Sequence, residues 1–234
     1  MEMDRQECLP YVMEQRKRIA IYGGTFDPVH SGHLEIARRV LPLFAIDEFL
    51  FVPARVAPHK MGRDVTSALH RYAMLALATR TEPRLSISTF ELDRPERQYT
   101  VDTLTNFRSQ IGESADLFFV MGADSWAEIT TWREWQRLLT LANLIVVTRP
   151  GFEISNAAET GATVVDVRGT QLAELPADGA PRVFVTDAVM LDVSATEVRQ
   201  AAREAQNETL NALVTREVAD YIRKYRLYRN THEA

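Results

Sequence analysis

The sequence predicts an α/β protein with a Rossmann-like, doubly wound parallel sheet, followed by helices at the C-terminal end of the chain. Stretches with the patterns of strands and of helices alternate along the chain at the spacing of βαβ units. The stretch from Asp116 to Asp124 is an apolar run, which is typical of a central parallel strand. Unusual residues follow three of the strands, at the edge where such sheets bind ligands: Gly23–His33, Pro53–Lys60 and Gly122–Asp124.

Composition and charge narrow the class of protein. The chain has 234 residues, of which 46% are hydrophobic and 25% charged, and this suits a globular domain with a sizeable core. Its net charge of -5 provides no broad basic surface, so we expect no nucleic-acid partner. We also expect no membrane association, because the sequence lacks a bilayer-length apolar run and a signal-peptide pattern. The single cysteine, Cys8, favours a cytoplasmic protein, and a homo-oligomer is left open.

Apolar periodicity divides the first half of the chain into three strands and three helices. Thr66 or Ser67 is suited to cap the second helix and Thr100 the third, which Gly112 closes. The strands are expected at 17–24, 48–54 and 84–92, and the helices at 32–44, 66–80 and 100–112.

The second half continues the alternation with one interruption. Residues 153–182 have poor periodicity and indicate a variable surface excursion. Residues 1–17 are polar and indicate an N-terminal extension, which leaves 18–234 as a single domain. Helices are expected at 131–142, 194–206 and 215–228, and strands at 143–151, 162–169 and 182–189.

The stretch "GGTFDPVHSGH" is the strongest candidate for a site. Gly23 and Gly24 permit close backbone approach and positive φ, while His30 and His33 flank a helix start that favours an anion. This arrangement suits a polyphosphate, although the spacing matches neither the dinucleotide fingerprint nor a Walker P-loop. The bland alternative is that the glycines turn the chain and His33 caps the helix. A divalent ion at Asp27 and the two histidines ranks third, since a turn here could separate the rings.

Two further segments could supply groups to the same sheet edge. In "VSATEVR", Ser194 and Glu197 form a capping box, which taken alone is the stronger interpretation. The same helix start also presents the Thr196 hydroxyl, and Arg199 could reach back to a phosphate. In "PARVAPHK", Lys60 could project a cation, although in isolation the segment indicates a solvated loop.

Seven motifs follow one another along the chain: "GGTFDPVHSGH", "VAPHK", "HRYAML", "QYTVDTL", "GADS…TTW", "VVTRPG" and "VSATEVR". Together they resemble the nucleotidylyltransferase superfamily, and within it the bacterial nicotinate-nucleotide adenylyltransferases. The resemblance covers roughly Ile19 to Tyr228. It departs from the family pattern at Ala57, where proline is common, and at Ala195, where Ser or Thr is common. Neither change removes an expected catalytic group.

The resemblance implies transfer of AMP from ATP to nicotinic acid mononucleotide, giving deamido-NAD and pyrophosphate. The mononucleotide phosphate would attack in line, without a covalent enzyme intermediate. Mg²⁺ would arrive with ATP, so no residue is assigned as a metal ligand. The implied catalytic residues are His30, His33, Lys60 and Arg199. The implied ATP contacts are Gly23, Gly24, Thr25, Phe26, Gly122, Asp124, Ser194 and Thr196. Thr100 is expected to contact the mononucleotide, and Trp132 to stack on its pyridine ring.

Two kinds of alternative remain. The first is a related transferase acting on nicotinamide mononucleotide, phosphopantetheine or a phospho-alcohol; "YTVDTL" and "TTW" disfavour phosphopantetheine. The second is a non-catalytic nucleotide sensor, against which the four intact candidate catalytic residues argue. An assay of turnover rather than binding separates the two.

Overall fold

The computed structural model describes residues 16–55, 65–148, 157–172, 175, 180–187 and 193–229. Their seven strands form one sheet with the order β3-β2-β1-β4-β5-β7-β6, and every pair is parallel. The predicted doubly wound α/β fold is therefore confirmed. The strands are β1 Lys17–Gly24, β2 Glu48–Pro53, β3 Leu85–Ile87, β4 Ala115–Gly122, β5 Asn143–Val147, β6 Val164–Asp166 and β7 Val183–Thr186.

Helices cover both faces of the sheet. Alternate residues of β4 show this directly, because Phe118 and Val120 belong to one apolar core and Leu117 and Phe119 to the other. The helices are α1 Ser31–Leu43, α2 Ala68–Thr79, α3 Thr100–Ile111, α4 Ala123–Ala127, α5 Trp135–Leu141, α6 Ala157–Thr160, α7 Ala195–Arg203, α8 Asn207–Leu213 and α9 Arg216–Lys224. Two short 3₁₀ helices lie at Gly112–Ser114 and Ile129–Thr131.

Several helix starts differ from the prediction. The helix expected at 131–142 begins only at Trp135, because Glu134 has a left-handed φ of 50° that interrupts the helical backbone. Tyr99, rather than Thr100, is the N-cap of α3, where its N–H donates to the Asp102 carboxylate at 3.1 Å. Ser67 caps α2, as one of the two predicted candidates.

The extension and the excursion are only partly described. Of residues 1–17, the structure describes Arg16 and Lys17, and Lys17 already begins β1. The excursion at 153–182 contains α6 and β6 within its described part, so the predicted strand at 162–169 is present in shorter form. Among the described helices, none has both the length and the apolar character needed to cross a membrane.

Candidate active site

The loop between β1 and α1 forms the floor of the site. A Cβ atom on Gly24 would lie 2.8 Å from Cζ of Phe26, so the close approach of that ring requires glycine here. The left-handed residue of the loop is Phe26 itself, with φ 49°. Its buried ring packs edge-on against the rings of Phe51 and His33, with centroid distances of 5.5 and 5.0 Å. Close approach, rather than the expected positive φ, therefore explains Gly24.

His30 and His33 form a stacked pair at the start of α1. The backbone N–H of His30 donates to Nδ1 of His33 at 3.2 Å, and the two ring centroids are 3.7 Å apart. The turn does not separate the two rings, because this hydrogen bond holds the His33 ring close to that of His30. Since Nδ1 of His33 accepts this hydrogen bond, we assign the ring proton of neutral His33 to Nε2, which makes Nε2 a donor.

Burial keeps His30 neutral. The ring is 8% exposed, and burial lowers its pKa to about 4, although the negative charge of Glu197 opposes this effect. Its Nδ1 atom is buried and has no hydrogen-bond partner within the described part of the chain. His30 therefore supports the half-buried His33 and adds no positive charge near neutral pH.

The start of α7 lies beside the start of α1. A Cβ atom on Gly32 would be 3.7 Å from the carbonyl oxygen of Val193. One Nη of Arg199 donates to the Asp27 carbonyl at 2.8 Å, and the other to the Thr196 hydroxyl at 3.0 Å. Arg199 thus contacts the loop between β1 and α1 and also binds Thr196, and a contact of either residue with a phosphate stays a prediction.

Ser194 and Glu197 form the predicted capping box. The Glu197 carboxylate accepts from the Ser194 backbone N–H at 2.7 Å and from its hydroxyl at 2.8 Å. The Ser194 oxygen in turn accepts from the Glu197 N–H at 3.2 Å. The predicted capping box is therefore confirmed, and a contact of Ser194 with ATP stays a prediction.

Arg71, within α2, is a residue that sequence reasoning missed. Its side chain is 1% exposed and donates to the carbonyl oxygens of Thr25, Ala54 and Thr66 at 2.6, 2.6 and 3.0 Å. It therefore ties the loop after β1 to the loop after β2. The available signal was its position, because it shares the buried face of α2 with Met74 and Leu75.

A cleft of about 350 Å³ is bordered by Gly23, Gly24 and Thr25. Trp132 lies in its wall, with its ring edge-on to Phe119 at 6.4 Å. The indole Nε1 is buried and has no hydrogen-bond partner among the residues that the structure describes. The predicted residues Thr100 and Trp132 thus line one cleft with three loop residues, Gly23, Gly24 and Thr25.

Charged side chains that sequence reasoning missed also line this cleft. The guanidinium groups of Arg97 and Arg133 each lie 4.8 Å from the ring centroid of Tyr99, within the range of cation–π attraction. Glu91 accepts from the Thr103 hydroxyl at 2.7 Å, and burial raises the pKa of its carboxyl group. The cleft therefore has cations at an aromatic ring and a buried acid.

The remaining predicted residues are more scattered. Gly122 ends β4 and is the N-cap of α4, and Asp124 is exposed in the first turn of that helix. Lys60 lies outside the described residues. Over the described ranges, no group of three or more His, Cys, Asp or Glu side chains is placed to hold a metal ion.

Comparisons with known proteins agree with this architecture. The cytidylyltransferase-like family model matches residues 21–201. A protein of Thermoanaerobacter sp. strain X514, named "Probable nicotinate-nucleotide adenylyltransferase", is 38% identical over 94% of this chain and 99% of its own. One of the same name from Nocardioides sp. is 40% identical over 88% of this chain and 91% of its own.

A solved structure shares the fold. Plasmodium falciparum nicotinic acid mononucleotide adenylyltransferase complexed with NaAD has a TM-score of 0.69 and 21% identity, covering 91% of this chain and 98% of that one. The family match and the two close relatives each span most of the chain. The chain therefore belongs to the cytidylyltransferase-like family, and within it to the nicotinate-nucleotide adenylyltransferases.

Proposed function

We propose that this chain transfers AMP from ATP to nicotinic acid mononucleotide, forming deamido-NAD and pyrophosphate. The observation that carries the proposal is the position of the segment Gly23–Phe26, at the end of β1. Its residues Gly23–Thr25 border the cleft that holds Trp132, and Phe26 of the same loop packs on His33. Two substrates bound on either side of this loop would meet across it.

The acceptor mononucleotide would occupy the cleft. Its pyridine ring would stack on Trp132, and its anionic groups would face the cations Arg97 and Arg133 and the start of α3 at Thr100. ATP would lie on the opposite side, against the histidine pair, Arg199, the start of α7, and Gly122 and Asp124 at the end of β4. We place Lys60 with the phosphate-binding groups on the resemblance of its motif alone.

The reaction requires positioning and electrostatic stabilisation rather than a protein nucleophile. A phosphate oxygen of the mononucleotide attacks the α-phosphorus of ATP, and the bond between that phosphorus and the pyrophosphate oxygen breaks. The attacking phosphate is already anionic, so no strong general base is needed. His33 would donate from Nε2 to an α-phosphate oxygen, and Arg199 would stabilise charge on the same phosphates.

Mg²⁺ fits this site as an ion that accompanies ATP. The Asp27 carboxylate, three residues before His30, already accepts from the Tyr228 hydroxyl and the Thr66 N–H. Phosphate oxygens and water would therefore supply the metal's ligands, and the bound ion would neutralise phosphate charge. We assign no side chain of this chain to it.

Pyrophosphate release with ATP and Mg²⁺ tests the proposal. Nicotinic acid mononucleotide and nicotinamide mononucleotide are compared at equal concentrations, and we expect release that strongly favours the acid. A preference for the amide would overturn the substrate while keeping the mechanism. Binding of ATP without release from either acceptor would instead support a different acceptor or a nucleotide sensor.

A further inference from the structure

The segment after α9 brings the chain back to the loop between β1 and α1, which ends at His30. Arg226 and Tyr228 both have left-handed φ values, of 50° and 67°, and the turn they form directs the Tyr228 ring inward. The Tyr228 hydroxyl donates to Oδ1 of Asp27 at 2.8 Å, across 201 positions of sequence. Burial and the negative charge of Asp27 raise the pKa of Tyr228, so this hydroxyl keeps its proton and remains a donor.

Asp27 is the junction of three separate segments. Its carboxylate, in a residue only 3% exposed, accepts from Tyr228 through Oδ1 and from the Thr66 N–H through Oδ2 at 3.3 Å. Its backbone carbonyl accepts from Arg199 at 2.8 Å. Asp27 also lies three residues before His30, at the turn that leads into α1.

We propose that Tyr228 is a positioning residue for AMP transfer: by holding the Asp27 carboxylate, its hydroxyl fixes the loop on which Arg199 and the histidine pair depend for their relative placement. The proposal rests on the roles given above to Arg199 and His33. Tyr228 itself donates to Asp27 and needs no contact with substrate.

A purely structural role for this hydroxyl is less consistent with the contacts of α9. The helix is already held against α2 by the Arg80–Glu217 ion pair at 2.7 Å and by the hydrogen bond between Tyr221 and His70 at 2.9 Å. Val218 and Ile222 of α9 are also buried in the apolar core. Removal of the Tyr228 hydroxyl alone leaves all of these contacts in place.

The test compares Tyr228→Phe with Tyr221→Phe. Both variants lose one tyrosine hydroxyl from the C-terminal part of the chain, but only the first loses a bond to Asp27. We expect Tyr228→Phe to lower kcat roughly tenfold, the usual scale for one hydrogen bond to a charged group, with KM for the mononucleotide unchanged. Tyr221→Phe should retain the wild-type kcat, and the melting temperatures of both report any general loss of stability.

A double variant makes the role specific. Asp27→Asn weakens the same hydrogen bond by removing the charge of its acceptor. Because both changes act on one bond, the double variant Asp27→Asn, Tyr228→Phe should have a kcat no lower than that of either single variant. Equal kcat values for Tyr228→Phe and Tyr221→Phe would overturn the proposal, and so would a full tenfold loss from Tyr228→Phe in the Asp27→Asn background. A wild-type chain that releases no pyrophosphate would instead refute the proposed function.

Discussion

The buried His30 ring should make the protein less stable in mild acid. The ordinary pKa of histidine is 6.5, and burial lowers that of His30 to about 4 in the folded protein. Between these values the unfolded chain binds a proton that the folded protein excludes, so folding stability rises with pH in this window. The contribution of neutral His30 to the free energy of unfolding is therefore fully present above pH 6.5 and is lost as the pH falls towards 4. The gap of about 2.5 between the pKa values corresponds to about 3 kcal/mol.

Urea unfolding of the wild type and of His30→Gln between pH 4 and 7.5 measures this effect. Glutamine does not titrate, so its substitution removes the contribution of His30 to the pH dependence while leaving every other group in place. The free energy of unfolding of the wild type should fall, relative to the variant, by about 3 kcal/mol from pH 7.5 to 4. If the two proteins gave parallel curves, the neutral buried ring assigned to His30 would be wrong.

Three further changes test other parts of the site. His33→Ala should lower kcat roughly 10²–10³-fold, because it removes the proposed donor to the α-phosphate; near-normal turnover would exclude a catalytic role. Trp132→Ala should mainly raise KM for the mononucleotide, whereas an unchanged KM would make Trp132 a packing residue. Arg71→Met should lower the free energy of unfolding by about 3 kcal/mol or more, because buried carbonyl oxygens lose their donor. The exposed Arg80, paired with Glu217, provides the control: Arg80→Met should cost less than about 1 kcal/mol in the same urea titration, and an equal cost would contradict the role given to Arg71.

The sequence predicts most strands of this fold because each is an apolar run of limited length. β1 was expected at 17–24 and occupies Lys17–Gly24, and β4 lies within two residues of its expected bounds. Helix starts are less predictable, since one backbone dihedral angle can decide them. Because Glu134 has a left-handed φ, α5 begins only at Trp135, and Trp132 stays in the extended segment that lines the cleft. Glutamate has no preference for this backbone conformation, so the sequence could not predict it.

The candidate site shows the same division between local and distant information. The histidines, the glycines and the capping box of α7 could be identified because each belongs to a short motif with its own physical signature. Arg97 and Arg133 could not, since they reach the Tyr99 ring from two different loops. The bond between Tyr228 and Asp27 joins opposite ends of the chain, so it follows from the fold rather than from any local pattern.

The hydrogen bonds of Arg71 also bear on how readily this protein could change its acceptor. Arg71 donates to the main-chain oxygens of Thr25 and Ala54, and both residues line the cleft proposed for the acceptor. A mutation at either position would alter the surface offered to the acceptor without removing the hydrogen bond that fixes the loop. The side chains that would face the acceptor can therefore change while the hydrogen bonds that hold the loop are kept. Such an arrangement would allow relatives with the same chemistry to differ in substrate while their reacting groups keep the same positions.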